Sequence, residues 1–179
     1  MLYHDLRRPL PFAHESAEAI YASHLLEHLY YDEAHRLLKE CYRVLRAGGV
    51  LRLVVPDLQS VLDEYSGARP FEGEQDPPKF TLRADRVNVR LGLRHIEAPR
   101  GGVAMRIYKA LTDFDVHKWM YDSESLLYYI RVAGFQNVSQ MDFQQSRIID
   151  IAELEHPGRV LHGAGVCVEG VKPLRAAES

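Results

Sequence analysis

Two apolar runs, separated by one amphipathic helix and a pair of glycines, constrain the fold of this chain more than any other feature. They lie within residues 17–58, AEAIYASHLLEHLYYDEAHRLLKECYRVLRAGGVLRLVVPDL. Residues 19–22 are a short, mostly apolar run of strand length. Asp32 is placed to cap a helix, its carboxylate accepting from free N–H groups of the first turn. From there Ala34, Leu37, Leu38, Cys41, Tyr42 and Leu45 recur at helical spacing and make one apolar stripe. Lys39, Arg43 and Arg46 gather toward the C-terminal end, where the helix dipole favours cations. Gly48 and Gly49 offer the positive φ that commonly stops a helix. Residues 50–55 then read as a second, nearly all-apolar strand, ended by Pro56. Strand, helix and strand in this order predict a βαβ unit with parallel, buried strands and a right-handed crossover.

The bulk properties narrow the function classes. At 179 residues the chain is the size of one domain. Its net charge of −3 gives no general attraction for nucleic acid. No apolar run approaches the roughly 20 residues that span a bilayer, and the N-terminus lacks a signal-peptide layout. Cys41 and Cys167 both fall in apolar elements, so they read as buried free thiols suited to a reducing cytoplasm.

The remaining elements follow in order. Residues 2–5 read as a strand stub, after which Pro9 and Pro11 impose an extended path. Ser23 and His24 follow the first apolar run at its C-terminal end, the edge where open α/β sheets bind ligands. Were the next loop helical, His24 and His28 would share a face. Residues 58–65 read as a helix with Leu58, Val61, Leu62 and Tyr65 on one side. Residues 66–78 break the pattern with glycines and prolines. A helix over residues 79–94 carries an apolar row (Phe80, Ala84, Val87, Leu91) beside an arginine row (Arg83, Arg86, Arg90, Arg94). That row is either a solvated face or a lid that binds an anionic acceptor through arginine forks. An apolar segment, residues 103–111, follows. Asp122 or Ser123 caps a last helix through Ala133, with Gly134 as its αL stop and Phe135 packing on Ile130 in a Schellman arrangement. Residues 138–143 are an outer strand, residues 148–154 hold a short helical turn, and residues 166–171 are the final strand.

Several of these segments together resemble a class I S-adenosylmethionine-dependent methyltransferase of the small bacterial type 11 kind. They are Asp5 to Phe12 (DLRRPLPF), Ile20 to Leu29 (IYASHLLEHL), Arg43 to Leu58 (RVLRAGGVLRLVVPDL), His117 to Tyr121 (HKWMY) and Ala133-Gly134-Phe135. The resemblance implies an α/β fold: a Rossmann-like, mostly parallel sheet with an antiparallel last strand and helices on both faces. It implies one domain over residues 1–179, with a helical insertion at about 66–116 acting as a lid. It places Asp5 and Leu6 at the adenine of S-adenosylmethionine, and Ser23 and His24 along the cofactor crevice. His24, Glu27, His28 and His117 become candidates for taking a proton from the methyl acceptor. Arg83, Arg86, Arg90 and Tyr121 become candidate acceptor contacts. No metal is assigned. A plainer reading stands beside each: a solvated loop aspartate at Asp5, local packing at His28, a turn residue at His117.

In the resembled family a strand, a glycine-rich loop and a helix come first and cradle the methionine and ribose of the cofactor. These 179 residues open at what corresponds to the third strand, so the expectation is a sheet shortened at its N-terminal side. The first apolar strand would then present an unpaired edge, covered by the 2–4 stub, by a second copy, or by both; hence a homodimer. Three functions compete: a cytoplasmic methyltransferase acting on a small or anionic acceptor, a non-catalytic remnant working as a dimeric binding protein, and a zinc hydrolase. The last rests on His24-x-x-Glu27-His28, which matches the inverted zinc-protease pattern.

Overall fold

The computed structural model describes residues 2–70, 82–92, 116–160 and 165–174. Four strands form one sheet: β1 (Ala17–Ser23), β2 (Leu45–Val55), β3 (Gln136–Gln140) and β4 (Val166–Val171). Their order is β1-β2-β4-β3. β1 and β2 are parallel, while β4 runs antiparallel to both of its neighbours. This is the expected sheet, parallel except for its last strand. The helices are α1 (Tyr31–Val44), α2 (Leu58–Ser66), α3 (Arg83–Arg90), α4 (Ser123–Val132), α5 (Ile151–Leu154) and α6 (Pro157–Val160).

Alternation along β2 gives the sheet two different faces. Leu51, Leu53 and Val55 pack with Leu37, Leu38 and Cys41 of α1 and with Leu126 and Ile130 of α4. Val54 and Cys167 face the other way, onto Val160 of α6. Arg52 shares that second face and is completely buried. Its guanidinium meets Glu155 at 2.7 Å and Glu169, its cross-strand partner on β4, at 2.8 Å. It also donates to the carbonyls of Asp142 and Gln145. The residue that interrupts an otherwise apolar strand is thus the centre of a fully bonded ionic triad.

Several local expectations need correction. Residues 2–5 form no strand, and Tyr3 is 86% exposed, so the stub does not cover the edge of β1. β1 itself is only half-buried, as befits an edge. Asp32 does not cap α1. The cap is Tyr30, two residues earlier; Glu33 accepts from the Tyr30 N–H at 3.0 Å, and Asp32 pairs with Arg36 at 2.8 Å. Nor do the glycines end α1. Its last carbonyls, Arg43 and Val44, accept from the N–H groups of Glu15 and Ser16, so the chain is free to extend from Leu45. Gly48 (φ +77°) and Gly49 lie inside β2, in a bulge that shifts register between Ala17–Leu45 and Ala19–Val50. A Cβ on Gly49 would stand 2.9 Å from the Arg46 carbonyl, so the bulge excludes side chains there. On α2, Val61 is buried with Ser60 and Glu64, whereas Leu62 and Tyr65 are exposed.

The end of α4 follows the expected chemistry. Gly134 takes φ +107°, its N–H donates to Arg131, and Phe135 N–H donates to Ile130, both bonds of a Schellman motif. Phe135 and Ile130 are buried together against Gly170. The expected segment at 103–111, Phe80 and Arg94 of the predicted 79–94 helix, and most of the expected 66–116 insertion lie outside the described residues.

Candidate functional site

The C-terminal end of β1 turns sharply. His24 donates its backbone N–H to Val54 at 2.8 Å and takes φ +50°, a left-handed conformation unusual for a residue with a Cβ. Such backbone strain costs of order 1–3 kcal/mol and tends to persist where function requires it. One 3-10 turn follows, Leu26–His28. It is too short for the long helix on which the inverted zinc-protease pattern depends, so that reading of His24-x-x-Glu27-His28 loses its structural context.

The turn points Glu27 inward, where it is completely buried. Neither carboxylate oxygen has a hydrogen-bond partner among the described residues. Oε1 lies 3.5 Å from His24 Nδ1 and 3.7 Å from His28 Nε2, beyond hydrogen-bonding distance in both cases. Burial pushes the Glu27 carboxyl up to about 7. Burial also holds His24 and His117 below the ordinary imidazole value, with the nearby His28 charge adding to the effect on His117.

A distant segment completes the group. The Glu27 carbonyl accepts from Lys118 N–H at 2.7 Å and Trp119 N–H at 3.2 Å, while Lys118 Nζ donates to the His28 carbonyl. These bonds bring His117 beside His28, ring edge to ring face, with centroids 4.9 Å apart. His117 N–H donates to Gly92, just beyond α3. A Cβ on Gly92, whose φ is +60°, would come within 2.6 Å of His117 Nδ1. Tyr121, bridged to Asp57, is buried in the core, and its hydroxyl is unpartnered among the described residues. The Ser23 hydroxyl is buried at the end of β1.

The structure therefore brings together His24, Glu27, His28 and His117. The expected acceptor arginines have other occupations. Arg83 donates to the Tyr65 carbonyl at 2.9 Å, at the end of α2. Arg90 pairs with the buried Glu64 at 3.1 Å. Both, with Arg86, belong to the packing of α3 on α2, beside a cavity of about 460 Å³ lined by Glu64, Gly67, Arg69, Arg83 and Arg86. At the N-terminus, Arg7 grips the exposed Asp5 carboxylate through both oxygens, holding its carboxyl down at about 2. Leu6 packs on the core. Arg52, Glu155 and Glu169 went unread in the sequence. Arg52 standing alone in an apolar strand was the available signal, but its carboxylates are 103 and 117 residues away.

Residues 2–53 match the family model described as a methyltransferase domain. No curated protein matches the sequence. Among solved structures, an S-adenosylmethionine-dependent methyltransferase from Archaeoglobus fulgidus is similar at 14% identity and a TM-score of 0.50, over 96% of this chain and 66% of that one. An O-methyltransferase family protein from Burkholderia thailandensis (13% identity, TM-score 0.45, 96% and 34%) and human N-acetylserotonin methyltransferase in complex with its methyl donor (12%, 0.45, 96% and 33%) also align. This chain spans between 32% and 66% of the length of such structures. The resemblance to class I S-adenosylmethionine-dependent methyltransferases is borne out, by sequence over residues 2–53 and by fold in the strand order and the antiparallel last strand.

Proposed function

We propose that this chain serves methyl transfer from S-adenosylmethionine to a small acceptor whose proton is withdrawn at the His24–Glu27–His28–His117 cluster. One observation supports this most. The cluster lies at the C-terminal edge of β1, the edge at which sheets of this class place their ligands, and it is buried, strained and short of hydrogen bonds.

The described residues fit the donor in part. Ser23 and His24 line the end of β1, and Leu6 offers an apolar side chain on the adenine side. Asp5 can still accept from an adenine amino group only alongside Arg7, which already occupies both of its oxygens. No strand–glycine loop–helix cradle is among the described residues. The chemistry the donor supplies when bound is an electrophilic methyl carbon. The protein's own task is to hold an acceptor in line with it and remove a proton, which is chiefly positioning. A carboxyl poised near 7 and imidazoles kept neutral by burial suit that second task. In this proposal Tyr121 orients the acceptor, and Arg83, Arg86 and Arg90 are the cations for an anionic group on it.

The edge of β1, unpaired among the described residues, supports pairing with a second copy, and the proposal includes a homodimer working in the cytoplasm. Among the described residues no helix is long and apolar enough to cross a membrane. Titration calorimetry of the 179-residue chain with S-adenosylhomocysteine tests the reading. Saturable one-site binding that weakens in Ser23→Ala and Leu6→Ala is the expected result. No binding at millimolar ligand would overturn it in favour of a non-catalytic binding protein of the same fold.

A further inference from the structure

We propose that Glu27, His28 and His117 form a binding site for one divalent transition-metal ion of the zinc class. Each offers one ligand atom, and the three atoms lie within 4.8 Å of one another, Glu27 buried and the two histidines half-buried. The proposal concerns the same cluster that the methyl-transfer reading uses, but metal binding is tested without it and can fail or succeed independently of it.

The orientation of the rings carries the argument. His28 Nδ1 faces the Val116 carbonyl at 3.3 Å, and His24 Nε2 faces the Arg159 carbonyl at 3.0 Å. A carbonyl can only accept, so in each neutral ring that nitrogen holds the hydrogen and the other carries the lone pair. Those lone-pair nitrogens, His28 Nε2 and His24 Nδ1, are the ones turned toward Glu27 Oε1. Two lone pairs and a carboxylate oxygen converge, and all are acceptors. Such a group calls for positive charge between its members. A shared proton would draw a pair to about 2.7–3.0 Å. The 3.7 Å observed between the two proposed ligands Glu27 and His28 is instead close to the ~3.4 Å that separates two ligands on a tetrahedral ion with bonds of about 2.0–2.1 Å.

The supporting shell has the form that metal sites use. A histidine ligand typically donates its second nitrogen to a backbone carbonyl, which fixes tautomer and ring direction; His28 does so. The Glu27 main chain is pinned by Lys118 and Trp119, so one set of bonds ties the carboxylate to the segment bearing His117. Glu27 supplies the unpartnered, completely buried oxygens aimed into the group. Two imidazoles with one carboxylate suit zinc and its neighbours better than magnesium or calcium, and three protein ligands leave a fourth position for water or an acceptor atom. Cys41 and Cys167 are buried in separate packing clusters and contribute nothing here.

The test uses the 179-residue chain, freed of any affinity tag, stripped with chelator and titrated with zinc(II), and separately with cobalt(II) followed by visible absorption. One equivalent of zinc should bind, and cobalt should give the d–d bands of a low-coordinate N/O site without thiolate charge transfer. Glu27→Gln, His28→Ala and His117→Ala should each weaken zinc binding by at least ~100-fold, beyond the loss typical of an outer-shell contact. His14→Ala, at an exposed histidine, should leave it unchanged. Thermal melts of the metal-free variants establish that each is folded, and Glu27→Gln removes charge without changing shape. Substoichiometric binding by the wild type, or one-equivalent binding that survives both Glu27→Gln and His28→Ala, would overturn the proposal.

Discussion

Two buried polar groups lie against the same sheet, and they are opposites. Around Arg52, the carboxylates of Glu155 and Glu169 are both paired, and further bonds come from Ser146, from the backbone N–H groups of Gln144 and Arg147, and from the Cys167 thiol. Around Glu27, neither carboxylate oxygen is bonded among the described residues, the rings turn acceptors inward, and the backbone at His24 is strained. A buried charge is tolerable when paired and hydrogen-bonded. The first group meets that condition from within the chain. The second does not among the described residues, and that shortfall is what the proposed metal site would meet. Burial alone would rank the two groups alike; satisfaction separates them.

Substitutions should separate them further. Arg52→Ala leaves two carboxylates buried without their cation and should cost roughly 3–5 kcal/mol in urea unfolding, while apolar replacement of the whole triad should restore most of that. A small effect of Arg52→Ala would break the contrast at its structural end. Glu27→Gln should do the reverse. The Glu27 carboxyl moves from an ordinary 4.5 to about 7, so the folded chain holds its proton more tightly than the unfolded chain. Its contribution to stability is therefore complete below 4.5 and is lost as the pH rises toward 7. In metal-free protein at pH 8, Glu27→Gln should accordingly be more stable than wild type, by up to about 3 kcal/mol, with no gain below pH 4.5. Melting temperatures across that range decide it, and a destabilised variant at pH 8 would show that Glu27 is satisfied after all.

Gly92→Ala sharpens the comparison at the edge of the site. The added methyl meets His117 and forces a Cβ onto a positive φ, so a loss of about 1–2 kcal/mol is expected. Zinc affinity should fall by more than that loss explains, because His117 is displaced. Arg36→Ala supplies the baseline. Its exposed pair with Asp32 should be worth only ~0.3–0.5 kcal/mol by chemical denaturation, and less in high salt.

How much of this was legible in the sequence depended on the range of the interaction. The parallel β1–β2 pair, the stripe on α1, the Schellman stop at Gly134 and the limits of β4 were readable, because each rests on periodicity or on chemistry within a few residues. The end of α1 was misplaced because Glu15 and Ser16 reach across to its last carbonyls, a contact that no local pattern announces. Gly48 and Gly49 have the local signature of a helix stop but serve a bulge in β2. Within the site, His24, Glu27 and His28 were legible as neighbours of a strand end. That His117 joins them depends on bonds from Lys118 and Trp119 to Glu27, about 90 residues away in sequence. The arginine row was visible as charge, but its engagement with Tyr65 and Glu64 was not.

The placement of β4 has a consequence for how such a chain comes to be folded. Among the described strands, the last in chain order lies not at a margin of the sheet but inside it, joining Val50 to Val171 and Val55 to Val166, with β3 on its far side. Until those residues emerge from the ribosome, β2 has one bare flank and β3 has nothing to lie against. The nascent polypeptide must hold the middle of its sheet open for a later segment, which favours slow closure and exposes the half-built sheet to wrong pairings in the interval.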